Sequence, residues 1–347
     1  MSVAGPENSF DGASPGAAGP SRETEPDSVI ATQKIPPSRR KRVIRLVLCF
    51  VIPYLAVVFM LTVFQRRLIY FPFREAVIRA YDTRLPGGRV HDIAVFGQDG
   101  LELKGWHVLP EGHTCPPEEC DAQLQRGRPV VLYFSGNAAN RSYRVSEVEV
   151  LCRLGADVFI VDYRGYGDNQ GSPSEEMLAA DAEALWKYAT RDRKIEPKRI
   201  VLYGESLGGG VATRLAEHAC RNGTPPGGLI LRSTFSSLAD AGACHYPWLP
   251  VRMCLVDRYD SATRIGAITC PILQVHGDRD YIVPIDLGRR LFDRAPPQSE
   301  SGIAKRFAEL PNAGHNDVLL TAERALSGAV REFFEAIRAE SVANATL

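Results

Sequence analysis

From residue 90 onward, short continuous apolar runs alternate with stretches of helical periodicity, and this alternation leaves few architectures open. The runs fall at 130–134, 158–162, 199–203, 228–232, 271–276 and 306–310. Strands that are apolar on both faces belong in a parallel sheet covered by helices on each side. Two further runs, 93–96 and 101–108, flank Gly97-Gln98-Asp99-Gly100, a hairpin turn that makes the start of the sheet antiparallel. Between the strands, Ser172-Pro173-Ser174-Glu175 predicts a helix capped by Ser172, with Pro173 at its first position, ending near Thr190. A second helix spans 207–220 and closes at Asn222-Gly223; 286–294 and 317–340 are the last two. The expected fold class is α/β: a mostly parallel eight-stranded sheet over 90–340 with helices on both faces.

Ahead of that region lies a different kind of sequence. Residues 46–64, LVLCFVIPYLAVVFMLTVF, are 19 positions without a formal charge, about 28 Å of helix at 1.5 Å per residue, close to a bilayer's hydrocarbon thickness. The run ends in Gln65-Arg66-Arg67 with no small-x-small cleavage site, which favours an uncleaved transmembrane anchor over a signal peptide. It also lacks the polar face of a soluble helix. Six cations (Lys34, Arg39, Arg40, Lys41, Arg42, Arg45) precede it and four (Arg66, Arg67, Arg74, Arg79) follow. The positive-inside rule then predicts a single-pass membrane protein whose C-terminal domain faces the extracytoplasmic side. Residues 1–38 are rich in Pro, Gly, Ala, Ser and acids and predict a disordered tail. The expected organisation is a tail with a basic membrane flank at 1–42, an anchor at 43–65, a linker at 66–89 and one domain at 90–340.

Lys+Arg and Asp+Glu both number 41, so the basic excess of a nucleic-acid-binding protein is missing, and no nucleic-acid partner is expected. The eight cysteines include two close pairs, Cys115 with Cys120 and Cys244 with Cys254, that would suit local disulfides in an exported domain. Cys152, Cys220 and Cys270 sit in apolar contexts and read as core residues. With no C-x-x-C pair and no His-x-x-x-His, zinc is not expected, and the residues imply no other metal or cofactor.

The chemistry is concentrated in Gly204-Glu205-Ser206-Leu207-Gly208, a G-x-S-x-G string between the apolar run ending at Tyr203 and the helix that follows. A serine on such a strand-turn-helix elbow is held in a strained backbone conformation, and flanking glycines keep Cβ atoms out of its way. A serine hydroxyl needs a base, and the base needs an acid to orient it. His315, in Asn312-Ala313-Gly314-His315-Asn316 between the last strand and the last helix, is the expected base; His245 is a distant second. The acid lies in His276-Gly277-Asp278-Arg279-Asp280 and is either Asp278 or Asp280. A developing oxyanion needs backbone donors, and Leu207 N–H, just after Ser206, is one.

Taken together, four signatures carry a resemblance. They are Ser135-Gly136-Asn137-Ala138 after the strand at 130–134, Asp162-Tyr163-Arg164-Gly165-Tyr166-Gly167, the Ser206 elbow, and the Asp and His loops. Residues 90–340 thus resemble the α/β-hydrolase superfamily, most of all its membrane-tethered serine hydrolases of the α/β-hydrolase domain-containing type, near monoacylglycerol lipases and protein depalmitoylases. The resemblance implies Asp280, the last residue of a Gly-x-x-Asp loop, as the acid, and Asn137 N–H as the second oxyanion donor. Ser135 stands where the usual residue is His. The Asp162–Gly167 string has neither a Lys-Ser/Thr nor a G-x-G-x-x-G and reads as a turn beside the site, not a phosphate loop.

In this fold, insertions usually fall between the sixth strand and the acid-bearing one. Here that interval, 233–270, is 38 residues, enough for a small lid. Phe235, Tyr246 and Trp248 are its candidate substrate-pocket residues. The expected function is a membrane-anchored serine hydrolase cleaving carboxylic ester or thioester bonds, of the carboxylesterase, lipase or thioesterase type. Ser206, His315 and Asp280 would serve as its triad, an acyl-enzyme as its intermediate, and a small-molecule or lipid acyl ester or thioester as its substrate. A serine peptidase on the same fold is one alternative, disfavoured because no propeller or large cap fits this length. A catalytically silent membrane scaffold is another, disfavoured because all three triad positions are filled.

Overall fold

The computed structural model describes residues 38–83 and 85–345; the expected tail lies almost wholly outside them. The described chain divides into two units, one ending at Pro53 and one beginning at Tyr54. The first unit is helical from Arg39, with Ser38 Oγ accepting from Lys41 N–H at the start. Its last turn before Pro53 widens into a π-helical turn, Val47–Val51. Proline has no N–H and its ring crowds the carbonyl four residues back, so a wider turn there relieves the clash. In all, α1 spans Arg39–Ile69, long and apolar enough by composition to cross a membrane.

The second unit is built on eight strands: β1 (Val90–Phe96), β2 (Glu102–Val108), β3 (Val130–Phe134), β4 (Asp157–Val161), β5 (Ile200–Glu205), β6 (Gly228–Arg232), β7 (Ile272–Gly277) and β8 (Arg306–Leu310). Their order is β1-β2-β4-β3-β5-β6-β7-β8. β1 and β2 pair antiparallel through the expected hairpin, β2 pairs antiparallel with β4, and every other pairing is parallel. All five residues of β3, β4 and β6 are buried, as strands covered on both faces must be. The covering helices are α2 (Val145–Arg153), α3 (Glu175–Lys187), α4 (Leu207–Arg221), α5 (Leu238–His245), α6 (Ile285–Arg294) and α7 (Glu323–Ala345). They enclose two cores. One joins Leu132, Leu202 and Leu231 to Leu215 of α4 and Leu185 of α3; the other joins Val131, Val201 and Val275 to Val330 and Phe333 of α7.

Several local expectations shift. The cap of α3 is Ser174, whose side chain accepts from Met177 N–H, and not Ser172. Glu175 Oε2 accepts from the Arg258 and Tyr259 amides. The final helix is two pieces, Val318–Thr321 and α7, because Ala322 leaves helical geometry at φ −139°. Residues 66–83 and 85–89, expected as a linker, are folded onto the domain. Tyr70 and Ile78 are buried, and Phe71–Pro72 pairs in parallel with Ala138–Ala139. All eight cysteines are free thiols: the Cys115 and Cys120 sulfurs lie 3.0 Å apart, whereas Cys244 is exposed and joined to no partner.

Candidate active site

β5 delivers Ser206 to the C-terminal edge of the sheet, and α4 starts at the next residue. Ser206 sits at φ 52° and ψ −116°, a conformation that an L-residue adopts only when its surroundings impose it. Those surroundings are tight. A Cβ on Gly204 would lie 2.5 Å from Gly209 Cα, and one on Gly208 would lie 2.1 Å from Phe134 O. The glycines of the string are therefore required by close approach of backbone to backbone. Thr234 Oγ1 donates to Ser206 O at 2.7 Å and ties the elbow to the segment after β6.

The loops after β7 and β8 bring the predicted base and acid together. His315 Nδ1 and Asp280 Oδ2 are 2.7 Å apart, and both side chains are buried. Asp280 Oδ1 accepts the amides of Ile282 (2.9 Å) and Val283 (2.7 Å), so the carboxylate is clamped from both sides. Burial opposes its charge, but hydrogen bonds from His276, His315 and the Val283 amide outweigh that and hold its pKa far below the usual carboxylate range. Asp278 is exposed and takes no part in the pair. His245 is also exposed, its Nε2 2.8 Å from Ile282 O.

The segment after β3 comes against the elbow: a Cβ on Gly136 would lie 3.6 Å from Ser206 Cβ. The histidine that the resemblance leads one to expect is replaced by Ser135, whose buried hydroxyl has no partner among the described residues. Other groups brace the loop. Tyr163 Oη donates to Ser135 O (2.9 Å) and Tyr166 Oη to Asn137 O (2.8 Å). Asn137 Nδ2 donates to Ile69 O (2.8 Å), and Phe71 N–H donates to Asn137 O (3.1 Å). The rest of the Asp162–Gly167 turn is occupied internally: Asp162 pairs with Arg141 at 2.6 Å, and Arg164 pairs with Asp181 and Asp99.

Beneath the elbow lies an ion network that sequence reasoning missed. Arg232 at the end of β6 pairs with Glu147 (2.7 Å) and with Glu205 (2.8 Å), the residue just before Ser206. Arg144 also pairs with Glu205 (2.6 Å), while Tyr133 and Tyr203 donate to Glu205 and Glu147. Burial penalises the Glu205 carboxylate, yet Arg232 and Arg144 more than compensate and bring its pKa down to about 2. Arg232 Nη1 also donates to His315 O at 3.2 Å, so one guanidinium supports both the serine and histidine loops. The available signal was a charged residue at the inner end of each of two apolar strands, Glu205 and Arg232.

The segment expected as a small lid, 233–270, carries α5, two short helices, Val251–Cys254 and Ser261–Arg264, and a 3-10 turn, Ile265–Ala267. Of its three candidate pocket residues, Tyr246 and Trp248 line a groove of about 500 Å³ against α1, while Phe235 is buried in the main core instead. Trp248 O accepts from Tyr54 Oη at 2.8 Å.

The strand order, the strained serine elbow after β5, and the loops after β7 and β8 define an α/β-hydrolase. A family model described as the alpha/beta hydrolase fold matches residues 129–250. An uncharacterized protein of Mycobacterium tuberculosis is 42% identical over 269 residues, covering 78% of this chain and 86% of that protein. The lysophosphatidylserine lipase ABHD12 of Rattus norvegicus is 30% identical over 284 residues, covering 74% of this chain and 70% of its own. Among solved structures, an esterase of Pyrococcus furiosus shares the fold at a TM-score of 0.56 and 17% identity, with 77% of this chain and 98% of that chain covered. The chain belongs to the α/β-hydrolase family.

Proposed function

We propose that this protein is a membrane-anchored serine hydrolase that cleaves carboxylic ester or thioester bonds of lipid-like substrates. The observation that carries the reading is the clamped His315–Asp280 pair, held on the same sheet edge as the strained Ser206 elbow. Ser206 Oγ attacks the acyl carbonyl while His315 Nε2 takes its proton. Asp280 keeps the other ring proton on Nδ1 and stabilises the imidazolium once it forms. The amides of Leu207 and Asn137 receive the oxyanion. His315 then protonates the leaving alcohol or thiol, and water, deprotonated by the same ring, releases the acid from the acyl-enzyme.

A fluorophosphonate probe on the full-length protein in membranes tests this. Wild type is expected to be labelled, and Ser206→Ala to lose both the label and esterase activity, by about 10⁴-fold or more. A folded wild type that takes no label sinks the reading in favour of a silent scaffold.

The 31-residue helix Arg39–Ile69 supports the anchor, and the excess of cations ahead of it supports an extracytoplasmic domain. Protease added outside sealed cells is expected to digest the domain. Full protection of the domain while the N-terminus is cut would reverse the orientation.

A further inference from the structure

The C-terminal half of α1 does more than lead into the domain. Val58, Leu61, Thr62, Gln65 and Ile69 recur at helical spacing and turn one stripe toward the lid. Across from them stand Tyr246, Trp248 and Leu255, and the space between is the groove of about 500 Å³. That is the size range of small-molecule sites. Its two polar lining residues on α1 direct their polar atoms elsewhere. Thr62 Oγ1 donates to Val58 O (2.8 Å). Gln65 Nε2 donates to Thr62 O (2.7 Å) and Cys254 O (3.3 Å), while its Oε1 accepts from Val256 N–H (2.7 Å). With those groups satisfied, the groove offers an occupant apolar surface and little to hydrogen-bond.

The position of the groove is informative. At one end are Ile69 and Phe71, which also line it, and whose backbone groups hold Asn137 in the loop against Ser206. Along its length, one wall belongs to the same helix that is long and apolar enough to cross a bilayer. The helix is fixed in place: Arg66 pairs with Asp257 at 3.0 Å, and Tyr70 Oη bonds both Asp257 and Tyr259. A chain of methylenes leaving the bilayer alongside α1 would therefore meet continuous apolar surface up to the Asn137 loop.

We propose that this groove seats the acyl chain of a lipid ester drawn from the bilayer, so that the anchor helix is itself one wall of the substrate site. The proposal rests on the ester-hydrolase reading above, and it makes α1 a determinant of chain-length preference as well as a tether.

A long-chain fluorophosphonate with a diazirine at the end of its alkyl chain tests it on the full-length wild type. The phosphonate fixes the head at the serine, and light then marks what the chain end touches. Cross-links to peptides within 54–71 or 238–255 are expected. Labelling with cross-links elsewhere overturns the groove and leaves the hydrolase intact, whereas no labelling overturns the hydrolase reading itself.

Leu61→Trp supplies a second measurement, since an indole there adds bulk to the wall of the groove. In the variant that still takes a short fluorophosphonate, kcat/KM for a palmitoyl ester is expected to fall about tenfold or more, with butyryl ester turnover unchanged. An equal fall for both esters, or no change in either, overturns the proposal.

Discussion

Arg232→Met is expected to destabilise the hydrolase domain by about 3–5 kcal/mol, because it leaves buried Glu147 without a cation and Glu205 with Arg144 alone. Glu147 and Glu205 lie within 2.7 Å and 2.8 Å of the Arg232 guanidinium, and all three side chains are nearly inaccessible. Solvent cannot replace the lost partner, so the penalty is the full cost of burying unpaired charge. For a domain of this size the thermal midpoint is expected to drop by roughly 10 °C. Adding Glu147→Gln should recover part of the loss, since Glu205 keeps Arg144 at 2.6 Å while the stranded charge is removed. A single variant within about 1 kcal/mol of wild type by thermal or urea unfolding would show that this network is not structural.

The same network has a pH signature. Glu205 is held at about 2, below its ordinary 4.5, and Asp280 is depressed as well. A carboxyl whose folded pKa is depressed binds protons more readily in the unfolded chain. Its contribution to stability is therefore complete above about pH 4.5 and is lost as the pH falls toward 2 and beyond. In Arg232→Met this acid limb is expected to flatten, which separates loss of the ion network from a generic packing defect.

Asp280→Asn is expected to lower kcat by about 10⁴-fold while leaving the fold in place. An asparagine Oδ1 can still accept the Ile282 and Val283 amides, so the loop keeps its clamp. Its NH₂ would then face His315 Nδ1, 2.7 Å from the present Oδ2 position. Two donors cannot share that contact, so the ring moves its proton to Nε2 and can no longer accept one from the serine. Thermal unfolding monitors the fold and ester turnover monitors the chemistry. A kcat within about tenfold of wild type would remove Asp280 from the mechanism.

Much of the molecule is legible in the linear sequence, for local reasons. The β1–β2 hairpin follows from Gly97-Gln98-Asp99-Gly100 between two apolar runs, and the parallel sheet from runs apolar on both faces. The elbow follows from the G-x-S-x-G spacing of Gly204, Ser206 and Gly208 between an apolar run and a helix. His315 and the Asp278–Asp280 loop could be picked out because each follows a strand of a parallel sheet, and all such loops emerge on one edge; the choice of Asp280 came from the family resemblance. Each of these inferences needs only a few neighbouring residues and the geometry of one element.

The features that only the tertiary structure decided depend on partners distant in the chain. The sequence reading places the cap of α3 at Ser172; Ser174 takes the role, with Glu175 engaged by amides more than 80 residues away. Residues 66–89 carry no strong periodicity and read as a linker, yet Tyr70, Asp257 and Tyr259 share hydrogen bonds across nearly 190 positions. Arg232 and Glu205 each look like a misplaced charge at the end of an apolar strand. They become an ion pair because β5 and β6 are adjacent in register, Glu205 opposite Arg232. Local sequence determined which segments are strands, turns and loops, because propensity and steric clash act within a few residues. Which charges neutralise each other, and that the C-terminal half of α1 borders an apolar groove, was decided by the packing of distant segments, because burial and pairing are properties of the assembled chain.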